Sequence, residues 1–136
     1  SYGLMLTKAL AAADVARREY GVSVEVIDLR SITPLDMPTI YASVKKTGHL
    51  VIAHEAIKIG GGGGEIAARG AGNHFDYLRG PVLRVGARFT PLPFSPVMED
   101  FVLSGEKEIL DAVLAAAGKS AVDGADGAAG RAGEAA

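Results

Sequence analysis

Cysteine and tryptophan are absent from the 136-residue sequence, and aromatic residues make up only 6% of it. Without cysteine the chain cannot form disulfide scaffolds, thiolate zinc sites or thiol nucleophiles. No run of about 18 apolar residues occurs, and the first residues lack the basic-then-apolar order of a signal peptide. These absences predict a chain that neither enters a membrane nor carries an export signal.

Neither positive nor negative charge is in large excess. Fourteen Lys and Arg residues against sixteen Asp and Glu residues leave a formal net charge of −2. Because no broad basic surface is available, we expect neither nucleic acid nor a membrane as a partner. The proportions of hydrophobic residues (49%) and charged residues (22%) are typical of one globular domain. A cytoplasmic location is compatible with the lack of cysteine.

Helical and strand patterns alternate along the first 117 residues. Arg17, Arg18 and Gly21 form a helix-ending signal, while Asp36 and Gly48 are typical of the start and end of a second helix. Ser104 is expected to cap the last helix. The predicted helices cover residues 4–19, the segment between Asp36 and Gly48, a short stretch from Glu65 that ends or breaks near Asn73, and residues 105–117; the predicted strands cover residues 22–29, 49–53 and 82–85.

This alternation predicts an α/β fold with a mostly parallel sheet and helices on both faces, a three-layer α/β/α arrangement. Functional sites in such sheets lie beyond the carboxyl ends of the strands. Three segments are therefore candidates for a functional site, namely residues 30–34, 54–64 and 86–96. Residues 118–136 are almost entirely alanine, glycine and small polar residues, and we predict that they form a disordered tail.

Five consecutive glycines, Gly60 to Gly64, follow a predicted strand and precede a predicted helix. Dinucleotide sites use this order, but the third glycine of a G-x-G-x-x-G motif would fall on Glu65 or Ile66. The pattern favours a tight turn that needs positive φ and close backbone packing. A freestanding module that binds a phosphorylated ligand at this turn is the alternative function.

His54 and Glu55 at the end of the second predicted strand are the strongest acid-base candidates. Adjacent strand residues point to opposite faces, so direct pairing requires that the strand has already ended. A structural histidine or an interface contact is the other interpretation. The histidines and carboxylates are not spaced as a metal site requires, and we predict none.

A proline-rich loop with clustered aromatic residues follows the third predicted strand. Phe89, Pro91, Pro93 and Phe94 are candidates for a protein interface, because a stiff apolar loop loses little entropy on binding. Covering the edge of the sheet within the same chain is an equally reasonable role for this loop.

Several segments in order resemble one known family. They are VEVIDLRSITPLDMPTIYASVKKTGHLVIAHEA at 24–56, the glycine turn, EIAAR at 65–69, FDYL at 75–78, PVLRV at 81–85 and TPLPFSP at 90–96. This series resembles the carboxy-terminal, transketolase-type domain of the beta subunit of thiamine-diphosphate-dependent 2-oxo-acid dehydrogenases. The resemblance covers residues 1–117.

The resemblance implies a role in assembly. It implies an alpha subunit, a second beta subunit and the acyltransferase core as partners, with His54 and Glu55 near the active-site entrance. Thiamine diphosphate and magnesium would be held in the full assembly and not by this segment, so the chain alone should be inactive on pyruvate or branched-chain 2-oxo acids.

The resemblance also implies a first strand that ends at Ser1 to Gly3 and is nearly absent here. Since the sequence starts at Ser1 without methionine, we expect that the natural polypeptide is longer and that these 136 residues alone are poorly stable.

Overall fold

The computed structural model of the chain describes residues 1–119. Five α-helices and two strands lie in this range, and one short 3-10 helix follows the third α-helix. The elements are α1 (Leu4–Tyr20), α2 (Met37–Thr47), β1 (Val51–Ile57), α3 (Gly62–His74), the 3-10 helix (Phe75–Tyr77), β2 (Leu83–Ala87), α4 (Pro96–Val102) and α5 (Glu106–Ala116). The predicted tail lies outside the described residues from residue 120 onward.

The local signals for the first two helices are confirmed. Helix α1 carries Arg17 and Arg18 in its last turn and ends at Gly21, whose φ of 66° is left-handed. Helix α2 starts at Asp36, whose carboxylate accepts a hydrogen bond from the Thr39 amide, and ends at Gly48 with a φ of 78°. Both ends are therefore set by residues within one turn of the helix terminus.

The two described strands form a parallel pair. Val51 lies opposite Leu83, and Ala53 lies opposite Val85. The segment 22–29, predicted as a strand, has no regular secondary structure and belongs to no sheet in the described part of the chain. The prediction of a ladder strand is wrong here, because no neighbouring strand supplies hydrogen-bond partners.

Two apolar clusters cover the two faces of this layer. On one face, buried residues of α1 and α5, including Met5 and Ile109, pack against Ala53 and Val85. On the other face, Ile40 of α2 and Ile66 of α3 pack against Ile52, among others. The three-layer α/β/α arrangement is thereby confirmed for residues 1–119.

Helix α3 begins at Gly62, three residues before Glu65, runs unbroken through Gly70 and ends at His74, next to Asn73, where its end was predicted. A β-carbon on Gly70 would lie 2.9 Å from Leu50 Cδ2, so this glycine lets the helix approach β1. The proline loop is also shorter than expected, because α4 begins at Pro96, which needs no amide donor in a first turn.

Ser104 does not cap α5. Its hydroxyl donates to the Gly86 carbonyl at 2.8 Å and so ties the end of β2 to the start of α5. Gly105 takes the N-cap position, and its amide donates to the Glu108 carboxylate at 2.8 Å. None of the helices in residues 1–119 is long and apolar enough to cross a bilayer.

We expect Asp36→Ala to lower the unfolding midpoint of the chain at neutral pH. Hydrogen bonds from the Thr39 hydroxyl and amide lower the pKa of Asp36 below its ordinary value. The stabilisation is therefore present above the ordinary pKa and is lost as the pH falls through the folded one. Urea titrations at neutral and strongly acidic pH measure this. The neutral cap of Asp36→Asn is the control, and an Asp36→Ala penalty of equal size at both pH values contradicts the assignment.

Candidate functional site

His54 and Glu55 lie on β1 near its carboxyl end, and the strand continues to Ile57. Consequently the two side chains do not lie together: His54 is completely buried, whereas Glu55 is exposed. The structure thus separates the two predicted acid-base candidates onto opposite faces. Any role of His54 therefore depends on the residues around its own ring and not on Glu55.

The imidazole of His54 has one hydrogen-bond partner in the described chain. Its Nδ1 lies 2.9 Å from the Ala56 carbonyl oxygen. A carbonyl only accepts, so Nδ1 carries the proton of this hydrogen bond. The other nitrogen, Nε2, is buried and has no hydrogen-bond partner within residues 1–119. The Tyr2 ring stacks near the imidazole, with centroids 6.2 Å apart and an interplanar angle of 24°.

Three glycines enclose this ring. A β-carbon on Gly63 would lie 2.4 Å from Nε2 of His54, and one on Gly61 would lie 2.9 Å from Cε1. A β-carbon on Gly86 of β2 would lie 3.2 Å from Cε1 and 2.7 Å from the Ala56 carbonyl oxygen. Any larger residue at these positions would occupy the space of the imidazole. We call this group, His54 with Gly61, Gly63 and Gly86, the histidine pocket.

The glycine turn therefore has a structural use. Gly60 has a φ of 72°, which other residues rarely adopt, and Gly61 to Gly64 form the start of α3 against the histidine pocket. The predicted tight turn with positive φ and close packing is confirmed at Gly60 and Gly63. Close packing against the imidazole leaves the inner side of the turn without room for a phosphate group.

Arginine side chains near the turn and in the segment 30–34 have hydrogen-bond or ion-pair partners within the chain. Arg84 of β2 donates to the Lys58 carbonyl at 3.0 Å and so fastens the segment leading into the turn. Arg30, in another of the segments singled out from the sequence, pairs with Asp28 at 3.3 Å. No cluster of three or more metal-ligating side chains occurs in the described residues.

The proline loop and α4 present a second feature, an exposed apolar surface. Phe94 is fully exposed and Phe89 is 75% exposed, while Pro91 is exposed and Pro93 is half-buried. Together the residues of this exposed aromatic surface are Phe89, Leu92, Phe94, Val97, Met98 and Phe101.

Arg88 fixes the shape of this surface. Its amide donates to the Val102 carbonyl at 3.0 Å, and its Nε donates to the Phe101 carbonyl at 2.9 Å. Its guanidinium lies 4.2 Å from the centre of the Phe101 ring. The loop is thus tied to α4, and the aromatic rings remain in solvent.

Comparison with known proteins identifies the family. The sequence model of the family described as transketolase, C-terminal domain, matches residues 1–109. The chain belongs to this transketolase C-terminal domain family. Among curated relatives, the pyruvate dehydrogenase E1 component subunit beta of Rhizobium meliloti (strain 1021) is 41% identical over 115 residues, which is 85% of this chain and 25% of that protein.

Two further relatives agree. The 3-methyl-2-oxobutanoate dehydrogenase subunit beta of Mycobacterium tuberculosis (strain ATCC 25618 / H37Rv) is 42% identical over 83% of this chain and 32% of its own. The mitochondrial pyruvate dehydrogenase E1 component subunit beta of Saccharomyces cerevisiae is 42% identical over 77% of this chain and 29% of its own. This transketolase C-terminal domain thus spans about a quarter to a third of these relatives, and they support the resemblance, not a freestanding ligand-binding module.

Several residues of the site were missed by reasoning from the sequence. Tyr2 and Gly86 reach His54 from distant parts of the chain, so no local pattern predicts them. Val97 and Met98 were missed because no helix was predicted for the residues that follow Pro96. Pro96 after Ser95, followed by apolar residues, is a helix-start signal that could have predicted α4.

We expect Gly63→Ala to destabilise this transketolase C-terminal domain by about 1–3 kcal/mol, because its β-carbon would overlap the imidazole of His54. Gly72→Ala is the matched control: it lies in the same helix with nothing within 4 Å and should stabilise the domain by about 0.5–1 kcal/mol. In a His54→Ala background the Gly63→Ala penalty should shrink. Chemical unfolding of the four variants measures these values, and an undiminished penalty would show that the overlap is not with His54.

Proposed function

We propose that the chain is the C-terminal domain of the beta subunit of a thiamine-diphosphate-dependent 2-oxo-acid dehydrogenase. The enzyme would decarboxylate pyruvate or a branched-chain 2-oxo acid oxidatively within a multienzyme complex. One observation carries this proposal: beta subunits named for pyruvate and for 3-methyl-2-oxobutanoate match 77–85% of the chain at 41–42% identity. We also propose a cytoplasmic location, although the yeast relative is named as mitochondrial.

The domain's part in this enzyme is assembly. Two observations support a location of thiamine diphosphate and magnesium outside this domain. No cluster of three or more metal-ligating side chains occurs in the described residues, and a β-carbon on Gly63 would lie 2.4 Å from Nε2 of His54. Magnesium would need one or two carboxylates beside the diphosphate oxygens. The cofactor and its metal would therefore lie in another part of the assembly, with His54 and Glu55 near the active-site entrance at most.

The exposed aromatic surface supports an assembly role. Six large apolar side chains are exposed within residues 89–101, whereas exposed apolar residues are usually scattered singly, and the cores of protein interfaces are enriched in Phe and Met. Phe89 and Phe94, stiffened by Pro91 and Pro93, would pack against the alpha subunit or the second beta subunit. We also propose the acyltransferase core as a partner of the assembled enzyme.

We expect the 136-residue chain to show no 2-oxo-acid decarboxylation with thiamine diphosphate and magnesium. Release of CO2 from pyruvate and from 3-methyl-2-oxobutanoate measures this, with a complete alpha and beta assembly as the positive control. Turnover by the chain above the buffer rate would overturn the assignment of catalysis to the rest of the assembly.

We expect Phe94→Ser, introduced into the complete beta subunit, to raise the Kd for the alpha subunit by about tenfold or more, since buried aromatic residues dominate interface energies. Phe75→Ser is the matched control, because Phe75 is 73% exposed and lies on the 3-10 helix, outside the exposed aromatic surface. Calorimetric titration of the two subunits gives both values. Equal effects of the two substitutions would remove the loop from the interface with the alpha subunit.

A further inference from the structure

Sulfur is rare in this chain, and one sulfur-bearing side chain stands in solvent. The sequence has three methionines and no cysteine, and all three methionines lie within the described residues. Met5 and Met37 are 0% and 3% exposed, because each packs in one of the two apolar clusters beside β1. Met98 is 57% exposed. A reagent that attacks sulfur from solvent therefore reaches Met98 first.

Met98 belongs to the exposed aromatic surface and lies between two of its phenylalanines along the chain. Phe101 follows it by three residues in α4, so the two side chains share one face of the helix. Val97 beside it is exposed, and Phe94 is fully exposed just before the helix. The thioether is thus one of the groups that make this surface apolar.

The fold of the domain does not depend on the Met98 side chain. The buried residue of α4 is Val102, and Arg88 ties the helix to the proline loop through the carbonyls of Phe101 and Val102. Met98 is in neither of the apolar clusters of the described residues. A chemical change at its sulfur should therefore alter the surface and leave the fold intact.

We propose that Met98 is a site of reversible oxidation by peroxide. The sulfur lone pair attacks one oxygen of hydrogen peroxide and the O–O bond breaks. The other oxygen leaves as hydroxide, which takes the remaining proton and becomes water. Sulfur is oxidised by two electrons to the sulfoxide while the peroxide is reduced. A sulfoxide reductase with a thiol reductant would restore the thioether.

Oxidation would change what the exposed aromatic surface can bind. The sulfoxide oxygen is a hydrogen-bond acceptor on a side chain that was apolar, and burial of such a group without a donor is unfavourable. Oxidation of the free domain would therefore weaken apolar association at this surface, whereas a bound partner would shield the sulfur. This consequence rests on the proposed function, but the oxidation itself does not.

Timed exposure to hydrogen peroxide, followed by peptide mass spectrometry, tests the oxidation. Met5 and Met37 are internal controls, and the 136-residue chain in concentrated denaturant gives the rate of each methionine without structure. In buffer, Met98 should react at least about tenfold faster than either control, because a buried methionine reacts only when the structure opens. In denaturant the three rates should converge.

Equal rates for the three methionines in the folded protein would overturn the proposal. The same measurement on the complete beta subunit keeps the test decisive if the 136 residues do not fold alone. Loss of far-UV circular dichroism in step with oxidation of Met98 would also contradict it, since the sulfoxide should leave the helices intact.

Matched variants of the complete beta subunit test the consequence for binding. Met98→Gln imitates the polarity of the sulfoxide, and it should raise the Kd for the alpha subunit about tenfold, as should peroxide treatment of the natural residue. Met98→Leu keeps an apolar side chain without sulfur, so its Kd should stay near the original value and should not respond to peroxide. Methionine sulfoxide reductase should reverse the effect of peroxide on the natural residue.

The two measurements separate this proposal from the proposed function. Selective oxidation of Met98 with an unchanged Kd would support the oxidation site and contradict its effect on binding. If Phe94→Ser also left the Kd unchanged, the contact of this surface with the alpha subunit would be wrong. An equal response of Met98→Leu and the natural residue to peroxide would assign the loss of binding to another residue.

Discussion

The burial of β1 on both faces is the constraint on which the rest of this domain depends. Ile52 and Ala53 are nearly inaccessible, and helices pack on each side of them. A strand in this position cannot exchange its backbone hydrogen bonds for water, so each edge needs a polypeptide partner. Strand β2 satisfies one edge. The other edge faces an apolar cleft of about 210 Å³, which is lined by residues of the segment 22–29 and by Val51, Ile52 and Ala53 of β1.

The same constraint explains the glycines after β1. Because α3 must return across the buried strand immediately after the turn, its first residues approach the side chain of His54 from close range. Gly61 and Gly63 leave the room that the imidazole fills, and Gly86 does so from β2. Taken alone, the run of glycines suggests ligand binding. In the structure, these glycines leave the space that the buried ring of His54 fills. Its unpartnered Nε2 is the one polar atom of that ring that the packing leaves unsatisfied in the described chain.

Features with local causes could be predicted from the sequence. The ends of α1 and α2 depend on Gly21, Asp36 and Gly48, and the layer arrangement follows from the periodicity of apolar residues. Features with distant causes could not. The segment 22–29 has a strand pattern, but a ladder also needs a neighbour. Similarly, Gly70 weakens an isolated helix, yet α3 continues because Leu50 packs against it.

For the site, the position of His54 near the end of β1 could be predicted, whereas its complete burial could not, because Tyr2 and Gly86 approach it from far along the chain. This burial limits the role that His54 can have in the proposed enzyme. A general acid or base must reach a proton on the substrate, and Gly63 and Tyr2 separate the imidazole from solvent. Glu55 and the aromatic rings of the proline loop are exposed instead. The interior of this domain therefore serves its own packing, and in the proposed enzyme any contact with other polypeptides would be made by its exposed residues.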